Sequence, residues 1–287
     1  MNYDFFKKIK NRVRAFFYFL ETFPSRLFFA NGMKLKYNLI PFFEINYYLN
    51  IFKKKNKTEL DTIGYKKIDY FLDKNIIQSI SNKFEKFIED SSHSKFAPGK
   101  KKKFVLNPLE LIPEIKQLNN LIYDDLYKYY LCNYKIDRVR AWRIYPDDSY
   151  YEKRQKYIYS NYWHFDQDRS DQVNVFILLS DRVNKETGST KLLDYESTKE
   201  AMRNFTFVDV SFSNEKIDEM YSKKNKIYYC SGNKGDTFIV NTHKCLHSAS
   251  IPKKGFYRDI IQFEVYKDYK SQNPYFSSKI DEEVNNF

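Results

Sequence analysis

Near residue 135 the apolar pattern of this chain changes period, and that switch limits the folds open to it. Before it, apolar residues recur at helical spacing. In "DKNIIQSISNKFEKFIED" (73–90) they are Ile77, Ile80, Phe84, Phe87 and Ile88, and in "PLELIPEIKQLNNLIYDDLYKYYL" (108–131) they are Leu111, Ile115, Leu118, Ile122 and Leu126. After it come short β-branched or aromatic runs: "DRVRAWRIY", "KYIYSNYWHF", "QVNVFILLS", "STKLL", "FTFVDV", "DTFIVN" and "RDIIQFEVY". Turn-like "PDDS", "KETGS" and "SGNKGD" separate them, and one helix-like insert stands at 213–225. Helices first and strands afterwards predict an α+β chain, with the strands closing into a sandwich or barrel. Between the two helices, "SSHSKFAPGKKKKF" reads as a loop. Its four lysines form a solvated run or, as the functional alternative, hold an anionic substrate.

The strand region contains "NYWHFDQD" (161–168). Successive side chains of a strand alternate faces, so His164 and Asp166 share one. Two further histidines, His243 and His247, follow in "NTHKCLHSAS". Either one would complete a set of two histidines and one carboxylate, which leaves open positions on an octahedral metal and suits non-haem Fe(II).

On these residues the chain resembles the Fe(II)/2-oxoglutarate-dependent dioxygenases, most closely the phytanoyl-CoA dioxygenase-like family. The resemblance implies a double-stranded β-helix (a jelly-roll, cupin-like core) over about 135–268, with an N-terminal helical extension. It implies His164, Asp166 and His247 as Fe(II) ligands. It also implies Arg258, eleven residues after His247, as the anchor for the distal carboxylate of 2-oxoglutarate, with O2 as second cosubstrate. Thr190, in "ETGSTKLL", is a further candidate for touching that carboxylate, and His243 becomes an orienting or structural neighbour. Related halogenases lack the carboxylate ligand, so Asp166 favours hydroxylation. The family's Gly-Pro-Leu and later Gly-Ser-His are missing, and Ala249 replaces a common hydroxyl residue. Arg258 would face inward with Ile260 and Gln262, opposite Asp259, Ile261 and Phe263.

Charge divides the chain differently. The net charge is +12, and the first 60 residues hold twelve Lys/Arg against four Asp/Glu, which leaves +4 for the other 227. That distribution argues against nucleic acid as partner and marks 1–60 as a separate basic segment. Phe5, Ile9, Val13, Phe16 and Leu20 follow helical spacing there, as in a basic amphipathic helix. Such a helix docks on the following domain, 61–287, or makes weak contact with an anionic membrane surface. Cys132, Cys230 and Cys245 form no CxxC pair and suit a reducing cytoplasm. The apolar run "AFFYFL" is far shorter than the ~20 residues of a membrane span. The expectation is an oxygenase acting on a small-molecule or lipid-like substrate. Its alternatives are a non-catalytic cupin-like binding protein and a peripheral membrane protein acting on a lipid-linked substrate.

Overall fold

The computed structural model describes residues 57–68, 73–97, 101–146, 161–166, 171–204, 211–212, 214–268 and 270–277. The basic segment 1–60, apart from its last four residues, and the strand expected at 205–210 lie outside the described residues.

Fifteen strands follow one another among the described residues. The first eight are β1 (Tyr65–Lys67), β2 (Ser94–Phe96), β3 (Lys102–Val105), β4 (Tyr134–Ile144), β5 (Trp163–His164), β6 (Val173–Leu178), β7 (Arg182–Val183) and β8 (Thr190–Leu193). The remainder are β9 (Ser211–Phe212), β10 (Ile227–Cys230), β11 (Gly232–Asn233), β12 (Thr237–Val240), β13 (His247–Ala249), β14 (Arg258–Lys267) and β15 (Tyr275–Phe276). The major sheet runs β1-β12-β6-β14-β4-β3-β2, with β15 added to β4. The minor sheet runs β10-β8-β13-β5-β9. Two mainly antiparallel sheets with crossed sequence order are the double-stranded β-helix core, and with the helices they make the chain α+β.

Alternation along the strands of the major sheet supplies two apolar faces. Phe104, Trp142, Ile144, Phe176, Leu178, Phe238 and Ile260 point between the sheets and pack with Leu192, Cys230 and Cys245. Val139, Ala141, Val175, Ile177, Ile261, Phe263 and Val265 point the other way, onto Ile80, Phe84, Ile88, Ile122 and Leu126 of the helical layer. That is why β6 is buried throughout and β14 up to its last residue, with both faces covered.

The helix expected at 73–90 spans Lys74–Glu89, capped by the Asp73 side chain on the Asn75 amide. The expected single helix at 108–131 is three pieces: Pro108–Leu111, a 3-10 turn Pro113–Leu118, and Asn119–Tyr130. Pro113 causes the break, because it lacks an amide proton and disfavours helical backbone at Ile112, which sits at φ −129°. The apolar stripe survives the break, with Ile115, Leu118, Ile122 and Leu126 all fully buried. The lysine-rich stretch is another correction. It is not simply a loop, because Ser94–Phe96 and Lys102–Val105 pair as a hairpin on the sheet edge. The Tyr195–Asn204 helix had no counterpart in the sequence reading. No helix among the described residues is long and apolar enough to cross a membrane.

Candidate metal centre

β5 and β13 are neighbours in the minor sheet, and His164 stands directly opposite His247. Their rings are 4.2 Å apart, centroid to centroid. Asp166 follows just after β5 rather than within it, with its amide donating to the Thr242 carbonyl at 3.1 Å. Two-residue alternation therefore anticipated the shared face, while the bond to Thr242 positions the carboxylate. Asp166 Oδ1 is 3.5 Å from His247 Nε2 and 3.9 Å from His164 Nε2. One ligand atom from each of the three residues lies within 4.8 Å of the others, the only such group of His, Cys, Asp or Glu among the described residues.

The free nitrogens are the useful ones. His164 Nδ1 donates to the Tyr162 carbonyl at 2.7 Å, and His247 Nδ1 donates to the Cys245 carbonyl at 3.2 Å. Each bond fixes the tautomer that leaves Nε2 as a lone-pair donor toward Asp166. Burial, reinforced by the nearby His247, lowers the His164 pKa to about 3, so the ring is neutral at ordinary pH. Burial pushes the Asp166 carboxyl up, but His247, His164 and the Thr242 hydroxyl outweigh it and hold the group well below the usual carboxylate range.

Asn174, on β6, was not singled out from the sequence. Its Nδ2 donates to Asp166 Oδ2 at 2.8 Å and to the Thr242 hydroxyl at 2.7 Å. Its signal was legible: an amide in an otherwise apolar strand, "VNVFIL", buried throughout. His243 is not part of the ligand group. Its Nδ1 lies 3.2 Å from the Asp166 carbonyl, where it steadies the ligand's backbone.

Arg258 opens β14 and is 2 % exposed. It faces between the sheets with Ile260, while Ile261 and Phe263 face the helices. Its Nη1 donates to the Thr190 hydroxyl at 3.0 Å, and its Nε is buried without a partner. No carboxylate pairs with it among the described residues, and burial lowers its pKa to about 10. An uncompensated buried guanidinium is costly, so this position calls for an anion. Asp259, the next residue, points outward and holds Arg143 through two bonds of 2.7 and 2.9 Å.

No family profile matches the chain, and no curated protein matches it. Solved structures do. The crystal structure of EctD from S. alaskensis in its apoform superimposes with a TM-score of 0.51 at 13 % identity, covering 72 % of this chain and 74 % of that one. The structure of the same protein with bound Fe gives a TM-score of 0.51 at 14 % identity, covering 77 % and 79 %. At that identity the likeness extends to the fold, which the chain shares over most of its length.

Proposed function

We propose that this chain is an Fe(II)- and 2-oxoglutarate-dependent oxygenase that hydroxylates a small-molecule substrate, of the phytanoyl-CoA dioxygenase-like type. The observation that carries the reading is a coincidence inside one barrel. A two-histidine, one-carboxylate group and a buried arginine with no carboxylate partner among the described residues belong to the same enclosed interior. The donor set fits ferrous iron, and EctD, which has this fold, has been crystallised with Fe. Bound together, Fe(II) and 2-oxoglutarate would supply an O2-derived oxidant strong enough for an unactivated C–H bond, with succinate as co-product.

The chain's own residues prepare the place for that chemistry. His164 and His247 turn their Nε2 atoms toward Asp166, because their Nδ1 atoms are committed to backbone carbonyls. Asp166 supplies one negative charge, oriented by Asn174. Arg258, with Thr190 beside it, offers a guanidinium fork to a carboxylate, which such a fork binds in bidentate fashion. Trp142, Ile144, Phe176 and Ile260 line the space between the sheets and exclude water. The three free cysteines accord with a reducing, cytoplasmic setting.

The test is 2-oxoglutarate-dependent succinate formation by the iron-loaded full chain. His164→Ala, Asp166→Ala and His247→Ala are expected to lose stoichiometric Fe(II), and His243→Ala to keep most of it. Arg258→Ala is expected to bind iron normally and to weaken 2-oxoglutarate by about a hundredfold or more, from a buried-pair loss of ~3–5 kcal/mol. A wild-type chain that binds Fe(II) but neither binds nor consumes 2-oxoglutarate would leave a cupin-like binding protein in its place.

A further inference from the structure

The Lys74–Glu89 helix covers the outer face of the major sheet as far as Arg143, which it meets through Glu85 and Glu89. Past that point the same face carries aromatic side chains. Arg258 pairs with Ile144, so Tyr257 and Tyr145 come side by side one position further out. The Tyr145 ring lies 5.7 Å from that of Phe96 on β2. Phe96 is 40 % exposed, and Phe256 and Tyr257 are 44 % exposed each. The turn behind them, Lys253 to Tyr257, is exposed at every residue, and the Phe256 amide closes it on the Lys253 carbonyl at 3.0 Å. Gly255 sits there at φ +85° with open space where a Cβ would stand, which leaves Lys254 and Phe256 at a bare tip.

Charge separates this patch from the chain's other exposed aromatics. Tyr123 and Tyr127 lie beside Tyr134, at the far end of β4, in a stretch (121–131) holding two aspartates and one lysine. At the Tyr257 end, Lys95, Lys101, Lys103, Arg143, Lys253 and Lys254 stand against Glu85, Glu89, Glu186 and Asp259, six cations to four carboxylates. The carboxylates are engaged: Glu85, Glu89 and Asp259 hold Arg143, and Glu186 holds Lys253. Lys103 lies over the Phe96 ring at 5.4 Å. Lys254, at the tip, has no ion pair among the described residues.

We propose that this end of the barrel docks on an anionic lipid bilayer, with Phe256 and Tyr257 entering the headgroup layer and Lys254 beside them against the lipid charges. Aromatic side chains flanked by lysines suit that boundary, because ring and stem are apolar while hydroxyl and ammonium stay wet. One such turn binds weakly, and firm attachment takes a second signal. The twelve Lys/Arg of residues 1–60 supply the long-range attraction, so loss of either part releases the chain.

The experiment uses the full chain at low salt with vesicles of phosphatidylcholine and phosphatidylserine whose acyl chains are brominated. Trp142 and Trp163 are buried, so the indole introduced by Phe256→Trp reports its own surroundings once wild-type emission is subtracted. A blue shift and quenching by the brominated lipid are expected for Phe256→Trp, and little of either for Tyr127→Trp. The double variant Phe256→Ser, Lys254→Ser is expected to co-sediment at least about fivefold more weakly, through the lost half-buried phenyl and one charge. Its thermal midpoint should match the wild type, since both residues are exposed. A wild type that does not sediment would overturn the proposal, as would a double variant that sediments equally well. A sedimented Phe256→Trp chain without quenching would overturn it too, by leaving attachment to residues 1–60 alone. Equal quenching of the two introduced indoles would do the same, by showing contact without a preferred face.

Discussion

A candidate metal ligand is only as good as what aims it, and at Asp166 the aiming residue is Asn174. Its amide donates both to the carboxylate and to Thr242, whose backbone carbonyl receives the Asp166 amide. One side chain thus ties the β5 end to the loop that precedes β13. Replacing it with Leu keeps the volume and removes both bonds. Outer partners of metal ligands typically carry about 10- to 100-fold in metal affinity. Asn174→Leu is therefore expected to weaken Fe(II) binding by that factor, measured by competition with a chelator. Thermal stability should fall much less, since the amide is replaced by an apolar group in a strand whose residues are all buried. An unchanged iron affinity would show that Asp166 is positioned by its backbone alone. At this scale the grouping of His164, Asp166 and His247 was readable, because a metal site demands particular residue types and alternation places the first two on one face. The partners of Asp166 were not, because Asn174 and Thr242 reach it through space, 8 residues away from Asn174 and at the far end of another strand. The same limit applies to β3, where the run of lysines was visible but its pairing register was not.

Between elements, the joint that most concerns the site is the one behind Arg258. Asp259 points to the opposite face and grips Arg143 of β4, whose guanidinium also meets Glu85 at 2.6 Å and Glu89 at 2.8 Å from the Lys74–Glu89 helix. The Tyr257 ring lies 4.0 Å from that guanidinium. Helix, β4 and the start of β14 are thereby clamped at one point, which holds the backbone from which Arg258 projects. Burial raises the Asp259 carboxyl from 3.8 to about 6, with Arg143 pulling it down and Glu85 and Glu89 adding to the rise. Arg143→Met removes the stabilising cation and leaves the carboxylate buried, at a cost of ~3–5 kcal/mol while it is charged. The sign of the pH dependence follows. In the variant the folded-state pKa rises further above the unfolded value, so the folded state keeps a proton that the unfolded state releases. Stability is then greatest below the unfolded pKa and is lost as pH rises through the folded one. Urea unfolding is expected to show Arg143→Met far weaker than wild type at pH 8 and closer to it at pH 5. A gap independent of pH would mean that Asp259 is relieved by solvent. Element type was legible in the long periodic stretches, such as 73–90 and the strand that became β14. It failed at Pro113, where local backbone chemistry cut a continuous apolar stripe, and at β3, where sheet pairing ordered a polar run.

At the scale of the whole chain, composition marks off a basic segment, residues 1–60, of which only the last four are among the described residues. Leu60, at the start of the first described helix, is fully buried, as are Ile80, Phe84 and Ile88 on the helical side and Leu178, Leu192 and Phe238 between the sheets. Every residue of the candidate centre comes from β5 to β14 and the turns between them. Deleting residues 1–56 removes eleven Lys/Arg and three Asp/Glu, which takes the net charge from +12 to +4. If those cations serve an anionic surface, the attraction extends over a Debye length of ~8–10 Å at physiological salt, and each Lys or Arg near the surface contributes ~1 kcal/mol. The full chain is therefore expected to sediment with phosphatidylserine vesicles at low salt and to be released by added salt. The truncated chain should not sediment, and it should keep Fe(II) and 2-oxoglutarate binding within about twofold, because no residue of the candidate centre has been removed. Equal sedimentation of the full chain with neutral and anionic vesicles would take the membrane role away from the segment. Loss of metal binding on truncation would instead assign residues 1–56 to the domain, as a docked extension that the barrel needs in order to hold its centre.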